Sequence, residues 1–210
     1  DPTESRGLGD VYKRQDYVNM LINSLKQEKN LNIVWDAGNG SAGNVMRKIA
    51  HHVKGETILL YDDIDGDFPN HHPDPSDPNT LKDLIKSVKQ NNMDLGIAFD
   101  GDGDRIGVVD NEGNIIPGDL LLLLLGIDVL KKNKGACIIG DVKCSQVLFD
   151  EIEKNGGRAI MSNTGHSLIK DCMKKESADL AGEMSGHIFF ADDYYGFDDA
   201  LYLSLIHISR

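Results

Sequence analysis

The chain has 210 residues, room for one large domain or two small ones. A hydrophobic share of 40% and a charged share of 27% exclude a disordered chain. The net charge of −12 excludes a nucleic-acid surface, which needs a basic face, although a local cation or arginine can still make one pocket attractive to anions.

The two ends stand apart. Residues 1–15, DPTESRGLGDVYKRQ, have no apolar period and resemble translated adaptor or vector sequence, as do residues 203–210, LSLIHISR. Both are set aside, which leaves 16–202 as the expected native part of a longer protein. Within it strands and helices alternate. LNIVWDAG reads as a buried strand closed by glycine, AGNVMRKIAHHV as the helix after it, and GETILLYDD as a second strand. The proline-broken loop FPNHHPDPSDPNT follows, and Thr80 with Asp83 is placed as a capping box opening the helix LKDLIKSVKQNN. MDLGIAFD is a strand delivering an acidic loop, and RIGVVDNEGNII a strand followed by a turn.

A second round starts at Ile115. A helix from Gly118 to Lys132 leads to the strand GACIIGD, the helix SQVLFDEIEKNGG, the strand RAIMSN, the helix HSLIKDCMKKE, the short strand ADLAG and the loop EMSGH. The expected fold is therefore α/β, with two consecutive units over 16–114 and 115–202 and largely parallel, mixed sheets. Such sheets carry ligands at the carboxyl ends of their strands. That rule selects Asp100–Asp104, the DVKCS loop, the SNTGH loop and GEMSGH.

Cys137, Cys144 and Cys172 are odd in number and lack C-x-x-C spacing, which fits reduced thiols and a cytoplasmic setting. The longest apolar run, Leu120–Leu130, is broken by Asp128 and is too short to span a bilayer, so no membrane role is expected. His51, His52, His71 and His72 occur as adjacent pairs whose side chains point apart, and they read as structural. Cys144 reads as a small buried residue.

The informative stretch is FDGDGDRIGVVD. Asp100, Asp102 and Asp104 are hard oxygen donors suited to Mg2+, Mn2+ or Ca2+, and Gly101 and Gly103 let the chain turn tightly enough for them to converge. A calcium EF-hand fails on spacing, with Arg105 where glycine belongs and Asn111 where the closing glutamate belongs. Arg105 beside a cation suggests a phosphate ligand, since both can share its oxygens.

With these residues in view the chain resembles the α-D-phosphohexomutases, the phosphoglucomutase and phosphomannomutase superfamily. DGDGDR is similar to that family's metal loop and GEMSGH to its sugar-binding loop. DVKCS and TGHSLIK fall between them in the family's order, and FPNHHPDPSDP lies upstream. The resemblance covers 16–202 and corresponds to the second domain and most of the third. It implies a Mg2+-dependent interconversion of hexose 1-phosphates and hexose 6-phosphates, of mannose or glucose, through a phosphoserine and a 1,6-bisphosphate. Mg2+ would sit on Asp100, Asp102 and Asp104, and Arg105 would meet the transferring phosphate. Glu183 and Ser185 would hold two adjacent sugar hydroxyls, and Met184 matches the dual-specificity phosphomannomutase/phosphoglucomutase group. Lys143, His166 and His187 match positions lining the family's active site. On the residues alone, Lys143 could be a solvated loop lysine and His166 could merely open its helix. Asn163 departs from the lysine common before this threonine, which puts sugar and phosphate contacts there in doubt. The family's nucleophile domain and its distal phosphate-binding domain have no counterpart here, so this chain alone is expected to be inactive.

Two other readings compete. Gly38, Gly40 and Gly43 form G-x-G-x-x-G after a strand, and Asp62 ends the next one, as in an NAD-binding oxidoreductase. Asp36, two residues before the first glycine, places negative charge where a pyrophosphate would lie, and the glycines then serve a strand-to-helix turn. The second is a non-catalytic module binding a cation or sugar phosphate.

Overall fold

Short apolar runs rich in β-branched residues pair into sheets because they can be buried on both faces. The computed structural model describes residues 15–27, 29–192 and 194–209, so 1–14 of the adaptor-like leader lie outside it. Residues 15–24 form helix α1. Then come β1 (Ile33–Asp36), α2 (Gly43–Ala50), β2 (Thr57–Leu60), α3 (Lys82–Gln90), β3 (Leu95–Phe99), β4 (Ile106–Asp110) and β5 (Ile115–Ile116). The strands lie in the order β2-β1-β3-β4-β5, parallel among β2, β1 and β3 and antiparallel beyond. Alternation within β1 divides its side chains between two layers. Ile33 and Trp35 pack with Val18, Leu21, Met46 and Ile49, whereas Val34 joins Leu84 and Val88 of α3 on the other face.

The second unit repeats the logic with α4 (Gly118–Lys132), β6 (Cys137–Asp141), α5 (Gln146–Lys154), β7 (Arg158–Ser162), α6 (His166–Glu176), β8 (Leu180–Gly182), β9 (Ile188–Phe190) and α7 (Ala200–Ser209). Its sheet runs β7-β6-β8-β9, with only the β8–β9 pair antiparallel. Ile138, Leu180 and Ile188 face Leu122, Leu148 and Ile152, while Ile139, Ala181 and Phe189 face Ile169 and Met173 of α6. The fold is thus two consecutive three-layer α/β units with mixed sheets. No described helix is long and apolar enough to cross a membrane.

Several local expectations need correction. Thr80 does not cap α3: its hydroxyl donates to the carbonyls of Asp74 and Asp77, and Asp83 accepts from Tyr61. Those two carbonyls belong to the proline-broken turn just before the helix and take up the hydroxyl's proton. Helix α2 stops at Ala50, short of the His51–Val53 tail read into it. Helix α7 continues to Ser209, within the segment set aside in the sequence, and Leu203, Leu205 and Ile206 are buried. It packs against β3 and β4 of one sheet and β9 of the other, so its nearly all-apolar composition matches its position.

The turn after β1 uses its own amides. The N–H of Gly38 donates to Asp36 Oδ1, those of Asn39 and Gly40 to the carbonyls of Tyr61 and Ala37, and that of Ser41 to Gly101. A pyrophosphate would find these donors already taken, which removes the basis of the dinucleotide reading. Asp36 is wholly buried, and its second oxygen meets His71 Nε2 at 3.0 Å. This hydrogen bond, opposed by burial, raises His71 from 6.5 to about 8. A raised folded-state value means the contribution is complete below pH 6.5 and is lost as pH rises through about 8. Urea unfolding at pH 6 and pH 9 should therefore show wild type losing roughly 1–2 kcal/mol more stability over that interval than His71→Gln. Equal losses would contradict the pairing.

Candidate functional site

The acidic residues occupy the connection between β3 and β4, two antiparallel neighbours that hold its ends together. Asp100 organises the loop. Its Oδ1 accepts the N–H groups of Gly103, Asp104 and Arg105 at 2.9, 3.0 and 3.1 Å, and its Oδ2 accepts Arg105 Nε at 2.9 Å. Gly103, at φ +81°, supplies a left-handed step within this wrap. Arg105 Nη1 reaches Asp74 Oδ1 at 3.0 Å, so the guanidinium is clamped between two carboxylates. Asp100, Asp102 and Asp104 can each present an oxygen within 4.8 Å of the others. Burial pushes the Asp100 carboxyl up, but the Arg105 hydrogen bonds outweigh it and hold the group below the ordinary range. Asp102 is pushed up by burial and by the Asp100 charge. Burial carries Asp104 up to about 6; His187 opposes the rise and Asp100 adds to it. One carboxylate is compensated and two are not, which is the imbalance a divalent cation relieves.

The second loop joins β8 to β9. Glu183 is buried; its Oε1 accepts the Gly165 N–H at 2.7 Å and its Oε2 the Ser185 hydroxyl at 3.0 Å. Gly186 donates its N–H to the Glu183 carbonyl, and its own carbonyl accepts the Ile106 N–H at 3.1 Å. Arg105 and His187 then pair as an isolated antiparallel bridge. At φ +96° Gly186 has no room for a side chain, since a Cβ would lie 2.5 Å from the Ile106 carbonyl oxygen. The acidic loop and GEMSGH are thereby stitched together, and the Ala200 N–H at the start of α7 adds a third link to the Gly103 carbonyl.

Of the remaining residues singled out in the sequence, His187 and His166 lie at this joint, and Lys143 is connected to it only through its loop. His187 Nδ1 lies 3.0 Å from Asp198 Oδ2 and 3.5 Å from Asp104 Oδ1. The exposed His166 ring stacks on His187 at 6.3 Å. Lys143 is exposed on the DVKCS loop, where its N–H donates to Asp141 Oδ1, and Asp141 Oδ2 accepts the Thr164 hydroxyl at 2.9 Å. Asp141 thus ties DVKCS to SNTGH, and Glu183 ties SNTGH to GEMSGH. Asn163 is exposed beside Thr164. A cleft of about 250 Å³ between the units is lined by residues including Asp102, Asp104 and Asp198. Sequence reasoning missed Asp74, Asp141 and Asp198. Asp141 carried a signal, as an acid ending a buried strand, but nothing local separates Asp198 from its neighbours in GFDDA.

This is an α/β protein whose two units are joined through the loops before β4 and β9, beside a cleft lined with carboxylates. The chain belongs to the phosphoglucomutase/phosphomannomutase family: residues 15–113 match its alpha/beta/alpha domain II and residues 117–209 its alpha/beta/alpha domain III. A phosphomannomutase/phosphoglucomutase of Pseudomonas putida is 52% identical over 186 residues, 89% of this chain and 40% of that protein. A phosphoglucomutase of Neisseria meningitidis serogroup A is 49% identical over 187 residues, covering 89% of this chain and 41% of that one. The crystal structure of a phosphoglucomutase/phosphomannomutase family protein from Burkholderia thailandensis superposes with a TM-score of 0.90 at 45% identity, over 93% of this chain and 43% of its own. The chain therefore spans about two-fifths of the length of these relatives.

The joint yields a direct prediction. Gly186→Ala should lower stability by about 2–3 kcal/mol, combining left-handed backbone strain with a contact against a carbonyl. Chemical denaturation checks it, and a change under 0.5 kcal/mol would mean that the two loops are not held through this backbone.

Proposed function

We propose that this chain forms the cation-binding and sugar-binding walls of a phosphohexomutase active site. That site interconverts hexose 1-phosphates and hexose 6-phosphates, of mannose or glucose, through a phosphoserine and a 1,6-bisphosphate. The observation that carries the reading is the backbone stitch, which brings the Asp100–Asp102–Asp104 cluster next to the loop bearing Glu183, Ser185 and His187. The donor set fits Mg2+, with three hard oxygens able to converge and two carboxyls kept high by burial and mutual charge. When bound, the ion neutralises charge on phosphoryl oxygens.

The chain's own residues divide the rest of the chemistry. Arg105, fixed by Asp100 and Asp74 through Nε and Nη1, presents its remaining Nη2 edge to the phosphate. Glu183 and Ser185 accept from and donate to two adjacent sugar hydroxyls, a grip that tolerates the sugar in either of two orientations. His187 takes the proton of the attacking hydroxyl, while Lys143 and His166 line the approach and help place the phosphosugar. The phosphorylated serine and the clamp for the distal phosphate belong to domains outside this chain. Free thiols at Cys137, Cys144 and Cys172 accord with a cytoplasmic enzyme.

Two measurements test this. Calorimetric titration of the 210-residue chain with Mg2+ should show one site, weakened at least tenfold in Asp102→Asn. In the full-length protein, Glu183→Gln should reduce kcat/KM roughly 10²-fold, because a charged hydrogen-bond partner of the sugar is lost. The chain by itself should turn over no hexose phosphate; activity without the other domains would overturn the assignment.

A further inference from the structure

Asp198 lies eleven residues beyond His187, outside every motif of the sequence, yet it meets the site's imidazole. Its backbone is held by an antiparallel bridge to Phe189, next to the strand start that carries His187. One carboxylate oxygen accepts Lys170 Nζ at 2.8 Å and the other faces His187 Nδ1 at 3.0 Å. Lys170 itself sits over the Phe189 ring, 5.2 Å from its centroid. Asp198 is 8% exposed at its side chain, so water competes weakly for these bonds.

A carboxylate paired with an ammonium can only accept hydrogen bonds, so Nδ1 must carry the proton it shares with Asp198. Asp104 is no rival acceptor, since its oxygen stands 3.5 Å from the same nitrogen, beyond ordinary hydrogen-bond length. In the neutral ring the lone pair then falls on Nε2, the nitrogen away from both carboxylates. Asp104, His187 and Asp198 could also be taken for a cation site. Lys170 argues against that, because its ammonium already occupies the second oxygen of Asp198 and would face any ion placed there.

We propose that Asp198 is a positioning residue, which holds His187 in the Nδ1–H form so that Nε2 is the base for the sugar hydroxyl. The inference rests on the mutase reading above. In that reaction the hydroxyl O–H bond breaks and its proton passes to Nε2. The hydroxyl oxygen forms the new bond to phosphorus, and the serine oxygen keeps the electron pair of the P–O bond it loses. Lys170 fixes the carboxylate's orientation and keeps it ionised.

Asp198→Asn separates this role from a merely structural one. Lys170 has donors only, so the asparagine turns its carbonyl to Lys170 and its amide to His187, forcing the opposite tautomer. Long-range ¹⁵N–¹H spectra of the 210-residue chain should show Nδ1–H in wild type and Nε2–H in the variant. In the full-length enzyme, kcat should fall roughly 10²-fold with KM within about threefold, and adding the change to His187→Gln should cost nothing further. An Nδ1–H signal in the variant, kcat within threefold of wild type, or losses that multiply would overturn the proposal. If full-length wild type fails to turn over hexose phosphates, the mutase reading falls and the catalytic half of this inference with it. The tautomer spectrum separately decides whether Asp198 sets the ring.

Discussion

The site depends on a short stretch of shared backbone. The Ile106 N–H donates to the Gly186 carbonyl and Arg105 pairs with His187, so residues of the two sheets meet where the chain enters β4 and β9. Neither sheet alone holds both the Asp100–Asp104 cluster and the loop of Glu183, Ser185 and His187. Because the link runs through main-chain groups, it is insensitive to side-chain rotamers but intolerant of a Cβ at Gly186. Helix α7 reinforces it from below by packing on strands of both sheets.

Around that joint the charges are arranged unevenly. Asp100 spends its oxygens on three amides and Arg105, and in doing so shapes the loop. For Asp102 and Asp104 the nearby cations do not outweigh burial and the Asp100 charge, and both stay high. Asp198 shows the opposite balance. Burial would raise it, yet hydrogen bonds from His187 and Lys170 hold it at about 2. The four acids therefore sit in different surroundings: Asp100 is tied into its loop, Asp102 and Asp104 are left with raised carboxyls, and Asp198 is paired with an imidazole and an ammonium.

Most strands and helices were legible because apolar periodicity and glycine punctuation agree along the chain. Helix α4 begins and ends at the expected Gly118 and Lys132, and α6 spans the expected HSLIKDCMKKE. Strand β9 was hidden because IFF is too short to show a period, and α7 because its apolar residues have no polar face to mark a helix. Thr80 misled because a capping pattern says nothing about competing carbonyls nearby. In the site, the acidic loop was readable from Asp-Gly repetition. The partners that orient it were not: Asp74 lies 31 positions before Arg105, and such pairings come from tertiary closure rather than local spacing.

The central claim is that the cation and the sugar-binding loop share one site in this chain. Paramagnetic broadening by Mn2+ tests it most directly. Substoichiometric Mn2+ should broaden the amide signals of Asp100–Arg105 and of Gly186 and His187 together, before those of the distant turns at Gly135 and Gly156. Broadening confined to the acidic loop, with the Gly186–His187 signals unchanged, would contradict the account.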